Sequence, residues 1–394
     1  MAGSIFVYQL TGSALMVGLL NFAAFLPILL LSVVGGVLSD RFDRRAIVIT
    51  THLISGAFAA ALAVLTFMGQ ANEFHVIVTA FAINTSYAIA KPALASLLPD
   101  LVPREDLTDA IGLNSLQFIS GQLIGPLIAT ALFVTAGAAW AFAANAMTYV
   151  GPILVMVYLI RRGLGGRRRP TSDGESAAPR ESAFAYVTTH RWPVYLLAGI
   201  VSTSASLEII RTLAPVLVVQ SLNTPESTAG ILVAGQSAGS AMGLLLFVPL
   251  NRRHLSRQMA AAGLFLQAAG LIGVALSSTL LVAVLAVACI GLGFSLCFPV
   301  LTGVLQGTVP NGVLGRVMSY HTLSHLGNRP FTALAAGALA TAVGPNTAVL
   351  FGLLLAPIGL FAMGRAWDTL RGDPTADPPP NVAIGGARSR PSRA

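Results

Sequence analysis

An all-α membrane protein, two six-helix bundles in a pseudo-two-fold arrangement with helix 1 truncated to leave about 11 full spans, is the fold class that three observations predict. The 394 residues are 55% hydrophobic and only 10% charged, with a mean hydropathy of +0.77, whereas ordinary globular domains carry about a quarter charged residues. The apolar residues gather into runs of about 20, the length that crosses a hydrocarbon layer about 30 Å thick. Between two such runs, Gly36-Val-Leu-Ser-Asp40-Arg41-Phe-Asp43-Arg44-Arg45 packs five charges into six residues. A turn of that kind belongs in water between two membrane helices.

The elements follow in order. Residues 1–10 form a stub too short to span, without the basic region and cleavage site of a removable signal peptide. Spans are expected at 14–38, 46–69, 75–96, 113–134, 139–160, 193–220, 227–250, 258–277, 279–301, 321–343 and 346–366. Alternate loops hold 21 of the 23 basic residues, Lys91 counted among them; the loops around Gly12, Asn72, Gly137, Asn223, Ser278 and Gly344 hold none. The positive-inside bias therefore places the basic loops, the central loop and the C-terminus in the cytoplasm of a multi-pass inner-membrane protein. The net charge of +8 is explained by orientation, and no basic stripe for nucleic acid is present. Cys289 and Cys297 share one apolar run and read as inert.

The chain divides into an N-terminal bundle at 1–160, a polar linker at 161–192, a C-terminal bundle at 193–367 and a disordered cytoplasmic tail at 368–394. A weak repeat relates the halves: Leu101-Val102-Pro103 aligns with Thr308-Val309-Pro310 and Gly137 with Gly344 at an offset of 207, Gly18 with Gly230 at 212, Arg41 with Arg252 at 211. Parallel duplication leaves such traces in transporters. By the same alignment the counterpart of residues 193–211 is missing ahead of Met1. A start codon placed too late, a truncation and a genuine eleven-helix protein all fit.

Gly36-x-x-x-Asp40-Arg41-x-Asp43-Arg44-Arg45 resembles the motif between helices 2 and 3 of the major facilitator superfamily. Pro99-Asp-Leu-Val-Pro-Arg-Glu-Asp-Leu107 with Leu113-Asn114-Ser115 is similar to the branch that includes the enterobactin exporter and related bacterial efflux proteins. The resemblance runs from about Tyr8 to Arg365, with Asp43 where a small glycine is usual. It implies alternating access between two bundles, with Asp40 near the N-terminus of helix 11 as a gating contact, where the helix dipole stabilises a carboxylate. Gly36 would let helix 2 approach a neighbour; Arg41, Arg44 and Arg45 either gate or only set topology.

On helix 5, Gly121-x-x-x-Gly125-Pro126-x-x-Ala129 is similar to the antiporter motif of exporters, although Ala129-Thr130 replaces its final glycines. It reads as a leak-blocking seam or as a plain small-residue interface. Burying an ionisable group at mid-bilayer costs at least ~2.5 to 3.5 kcal/mol, so Glu208, the one carboxylate inside a span, is the expected proton-coupling group. Arg211 at i+3 is its expected partner, a static pair being the alternative. Arg329 either binds an anionic substrate or snorkels to water. Asn84 and Tyr87 are further candidate substrate contacts, and Asn114 or Ser115 a weaker one; Gly291-Leu-Gly293 with Pro299 suggests a flexible gate in helix 10.

No metal-ligand pattern joins His52, His75, His190, His254, His321 and His325, and no phosphate-binding loop is present. No cofactor, metal or enzymatic activity is expected. The expected partners are a small-molecule substrate, protons as coupling ion and the lipid bilayer, with a monomeric chain. Proton-coupled efflux of a small amphipathic or siderophore-like molecule is the leading reading; an importer, a lipid-moving relative and a transport-inactive sensor or assembly partner are the alternatives.

Overall fold

The computed structural model describes residues 1–103, 106–165, 183–251 and 256–372. Every described element is helical, as expected of backbone whose polar groups must be satisfied internally in lipid. The first half contains α1 (Ala2–Thr11), α2 (Ala14–Arg41), α3 (Arg44–Phe67), α4 (Glu73–Leu101), α5 (Leu107–Ala136), α6 (Ala138–Thr148) and α7 (Val150–Arg161). After α8 (Ala183–His190) come α9 (Trp192–Gln220), α10 (Ala229–Asn251), α11 (Ser256–Ala275), α12 (Leu280–Thr308), α13 (Asn311–Thr322), α14 (Arg329–Val343), α15 (Pro345–Phe351) and α16 (Leu355–Gly372). A π-helical turn, Leu323–Gly327, joins α13 to α14.

Among the described residues, eight helices are both long and apolar enough to cross a bilayer, against the eleven expected. The other three expected spans are also helical: α4 carries Asn84 and Lys91, the α13–α14 path carries His321, His325 and Arg329, and α5, whose side chains are described only in part, has an apolar stretch at Ile124–Ala136. Linker residues 166–182, Arg252 and Arg253, and the tail beyond Gly372 lie outside the described residues. The expected tail boundary at 368 is corrected, since α16 continues to Gly372.

Helix ends follow local chemistry. Ser13 Oγ accepts from the Met16 amide at 3.4 Å, Asn72 and His75 close a reciprocal capping box, and Thr279 Oγ1 accepts from the Val282 amide at 3.4 Å. Each satisfies donors that a helix N-terminus leaves free. The repeat is visible in the backbone. Gly137 (φ 88°) and Gly344 (φ 85°) each end one helix and start the next, and their amides bond to Phe133 O and Ala340 O, also 207 apart. Positive φ makes glycine the residue of choice at both turns.

Packing falls into two groups. Helices α2, α3, α4, α6 and α7 contact one another, as do α9 to α12 with α15 and α16, and α2–α14 and α5–α10 join the groups. The two joints are equivalent by the repeat. A Cβ on Gly18 would meet Ala333 O at 2.7 Å and Gly337 Cα at 3.1 Å. On Gly230 it would meet Pro126 O at 3.1 Å and the Thr130 side chain. Offsets of 212 and 207 carry one set onto the other. Small residues allow this approach, which gains dispersion contact that lipid cannot replace. Tyr8 and Gln220, again 212 apart, bond to each other at 3.0 Å. All three contacts lie toward the end that carries the Gly12, Gly137 and Gly344 turns, so the groups are closed there.

The glycines differ in what they approach. Gly36 has no atom within 4 Å of its would-be Cβ; Gly35 makes the approach, 2.7 Å from Ala88 O on α4. One residue is about 100° of helix rotation, which decides the facing side. Gly121 and Gly125 likewise have no described atom within 4 Å of a would-be Cβ, and the described α5 seam to Gly230 is made by Pro126 and Thr130. Gly291 and Gly293 serve close packing rather than flexibility: α12 is held against α10 through Gly291, Gly239 and Gly243, and against α11 through Gly293, Gly263 and Gly270.

Candidate functional site

A charged cluster sits where the two groups face each other. Glu208 on α9 is 2% exposed. Its Oε2 lies 3.9 Å from Nε of Arg329, the first residue of α14, close enough to attract but too far to hydrogen-bond. Thr212 Oγ1 donates to Glu208 Oε1 at 3.4 Å. Arg211, the expected partner, is within electrostatic reach of Glu208, yet its Nε donates to Gln236 Oε1 on α10 at 3.1 Å. Gln236 is fixed by its own donation to Leu207 O at 3.1 Å. An i, i+3 spacing puts two side chains on one face but does not decide which way a long guanidinium turns.

Across the divide, α4 presents Tyr87 and Lys91. Lys91, assigned to a loop by charge counting, lies inside α4, with its ammonium 5.9 Å from the Tyr87 ring centroid. Both are exposed within the fold and within electrostatic reach of Arg329. Arg329 also lies over Phe25 of α2 at 5.4 Å. Of the expected substrate contacts, Tyr87 and Arg329 are therefore brought together, whereas the Asn84 amide donates to Ala80 O of its own helix at 2.9 Å.

A wall of rings completes the cluster. Phe294 and Phe298 of α12 stack at 5.0 Å, and Phe298 lies 4.5 Å from His325 and 5.6 Å from His321. His325 pairs with Ser204 Oγ at 2.8 Å and His321 with Thr302 Oγ1 at 2.9 Å. His325 sits in the π-helical turn, an irregularity common at functional sites. Sequence reasoning missed Lys91, His321 and His325. Spacing of four from His321 through His325 to Arg329 was the signal that could have found the last two.

At the opposite end of α2, Arg44 Nη1 pairs with Asp100 of α4 at 2.7 Å and also donates to Ser96 O at 3.2 Å. Arg45 grips Asp43 through two bonds of 2.8 and 3.1 Å and donates to Leu164 O at 2.9 Å. The Arg44 and Arg45 bonds thus tie the loop to α4 and to the end of α7. The Asp40 side chain lies outside the described residues, as do those of Asn114 and Ser115. Asp43 caps α3 by accepting from the Arg45 amide at 2.9 Å, which accounts for an aspartate where a glycine is usual.

The side-chain bond from Arg45 holds the Asp43 carboxyl below the ordinary carboxylate value. A depressed folded-state value stabilises above the unfolded pKa, roughly 3.9 for Asp, and the benefit disappears as pH falls through the folded value. Asp43→Ala is expected to cost about 1 kcal/mol, the usual worth of an N-cap. Thermal unfolding in detergent should show that gap between wild type and variant at pH 7 and pH 5, and its progressive loss as the pH falls below roughly 3.9.

The profile of the transmembrane secretion effector family matches residues 1–374, nearly the whole chain. The chain belongs to that family. Transmembrane secretion effectors of this kind are transporters of the major facilitator superfamily, and the curated relatives include efflux proteins. The enterobactin exporter EntS of Citrobacter koseri is 26% identical over 90% of this chain and 81% of its own length. Macrolide efflux protein A of Streptococcus pyogenes is 34% identical over 34% of this chain, so the match spans only about a third (33%) of that relative. Solved structures share the fold of this family member. The nucleoside transporter NupG superposes with a TM-score of 0.73 at 11% identity, covering 92% of this chain and 94% of its own. A bacterial homologue of the iron transporter ferroportin, in an inward-facing state, superposes at 0.72 and 15% identity, covering 92% of both.

Proposed function

We propose that this protein is a secondary active exporter that moves a small amphipathic or siderophore-like molecule out of the cell by proton-coupled alternating access. The observation that carries the coupling is Glu208, a carboxylate 2% exposed inside a membrane helix and paired across helices with Arg329. Such a group is expensive to bury and earns its place through function. On this reading the two packed groups are two six-helix bundles, residues 1–160 and 193–367, joined by the linker at 161–192. The basic loops and the C-terminus lie on the cytoplasmic side of the inner membrane, and the chain works as a monomer.

The closed Gly18–Gly337 and Gly230–Thr130 joints are then the outer gate, and the conformation described is inward-facing. Asp40 belongs to the inner latch that forms when the bundles rock the other way, with Arg41, Arg44 and Arg45 holding its loop. Gly36, Gly121 and Gly125, which have no described atom within 4 Å of a would-be Cβ, are on this reading gating residues that close in the opposite state. Protonation of Glu208 removes the charge that holds Arg329 and permits the rocking step. The EntS and macrolide efflux relatives support the outward direction.

The test is uphill transport in reconstituted vesicles. Glu208→Gln should abolish proton-driven accumulation of substrate, by at least about tenfold, while exchange down a gradient continues. Undiminished pH-driven uphill transport in that variant would remove Glu208 from the mechanism. A susceptibility and accumulation screen in a host lacking its own exporters supplies the substrate for the assay.

A further inference from the structure

The geometry points to an organic anion with a planar ring as the substrate of this cavity, held by Lys91 against the ring wall of Phe294 and Phe298. The inference rests on the transport reading above, but not on which ion drives it.

Charge is the first argument. The cluster brings Lys91, Arg211 and Arg329 within electrostatic reach of His325, with Glu208 as the facing carboxylate among the described residues. Among the described residues, three cations against one carboxylate give the cluster a net positive charge. The α-amino group of Met1, within reach of Arg211, does not reverse that sign. Glu208 lies buried beside Arg329 and answers that charge. Lys91 is exposed, and no carboxylate is paired with it among the described residues. A cation in a low-dielectric cleft attracts an anion far more strongly than it would in water, and repels an amine equally.

Ring chemistry is the second. Phe294 and Phe298 are only partly buried, and their stacked pair offers a flat apolar face that is extended by His325, which lies within electrostatic reach of Lys91. Aromatic walls with a few placed polar groups bind flat ligands by stacking and fix their orientation by charge. Tyr87 under the Lys91 ammonium keeps the charge over the gap without neutralising it. Anion export has a further consequence: the inside-negative membrane potential itself favours the outward step.

Binding and movement of two dyes with one ring system separate the possibilities. Purified protein in detergent is titrated with carboxyfluorescein, an anion, and rhodamine 6G, a cation, following fluorescence anisotropy. The same dyes are then loaded into vesicles. Carboxyfluorescein should bind at least tenfold more tightly than rhodamine 6G, and 1-naphthoate should displace it better than acetate does. Lys91→Gln, at an exposed position that folding tolerates, should weaken binding at least tenfold, while Lys91→Arg restores it to within threefold. Tighter binding of rhodamine 6G, equal binding of carboxyfluorescein by Lys91→Gln, or no binding of carboxyfluorescein and naphthoate would each overturn the inference. Binding of carboxyfluorescein with the expected Lys91 dependence, but no movement in vesicles, would uphold the site and count against the transport reading instead.

Discussion

Gly291→Ala is expected to lower the thermal midpoint of the solubilised protein by roughly 4 to 8 °C, although alanine is the better helix former. The intrinsic preference for alanine over glycine in a helix is about 1 kcal/mol. At Gly291 that gain is outweighed, because a Cβ would lie 1.9 Å from the Gln236 carbonyl oxygen of α10 and 2.8 Å from the Ser240 amide nitrogen. Both are backbone atoms that cannot turn aside. The approach is reciprocal, since a Cβ on Gly239 of α10 would lie 1.9 Å from Ala288 O of α12. Forcing two such helices apart costs about 3 kcal/mol, and each kcal/mol moves the midpoint of a large domain by roughly 2 to 4 °C. Gly303 supplies the control on the same helix. Its would-be Cβ meets nothing within 4 Å, so Gly303→Ala should leave the midpoint unchanged or raise it. Equal midpoints for the two variants would show that the α10–α12 contact does not limit stability.

That contrast shows which part of the molecule is legible in one dimension. Run lengths, capping residues and the Gly137 and Gly344 turns are local, so the helices lie where hydropathy and turn chemistry put them. The repeat offsets carry over as well, because Gly18, Gly230, Thr130 and Gly337 meet in the pairs the offsets require. What the chain does not display is azimuth and partner. A motif names Gly36 while the helix presents Gly35 to α4; a spacing offers Arg211 to Glu208 while Arg329 arrives from another helix. Lys91 was misplaced for a related reason. Charge counting treats a lysine near a helix end as a loop residue, yet it lies inside α4 over Tyr87 and within electrostatic reach of Arg329.

Gly230→Ala should reduce transport by roughly 100-fold with little loss of folded protein, and Thr130→Gly should restore most of it. A Cβ at position 230 collides with the side chain of Thr130, with its Cβ at 2.6 Å and its hydroxyl nearer still, whereas Pro126 O stays at a tolerable 3.1 Å. Deleting the threonine side chain therefore removes the conflict. If the joint is an outer gate, the strain falls only on the state closed at that end, and the protein escapes into the other state without unfolding. About 3 kcal/mol of overpacking corresponds to a shift of roughly 100-fold between the two states, enough to trap the cycle. A cysteine at Gln220, placed in a background with Cys289 and Cys297 replaced by serine, should react faster with maleimide in Gly230→Ala and return to the wild-type rate with Thr130→Gly. Gly18→Ala provides the asymmetric partner: it meets Ala333 O and Gly337 Cα, which are backbone, so no side-chain deletion can rescue it. Wild-type transport in Gly230→Ala, or a loss that leaves the labelling rate unchanged, would mean that the joint holds the bundles together without gating them.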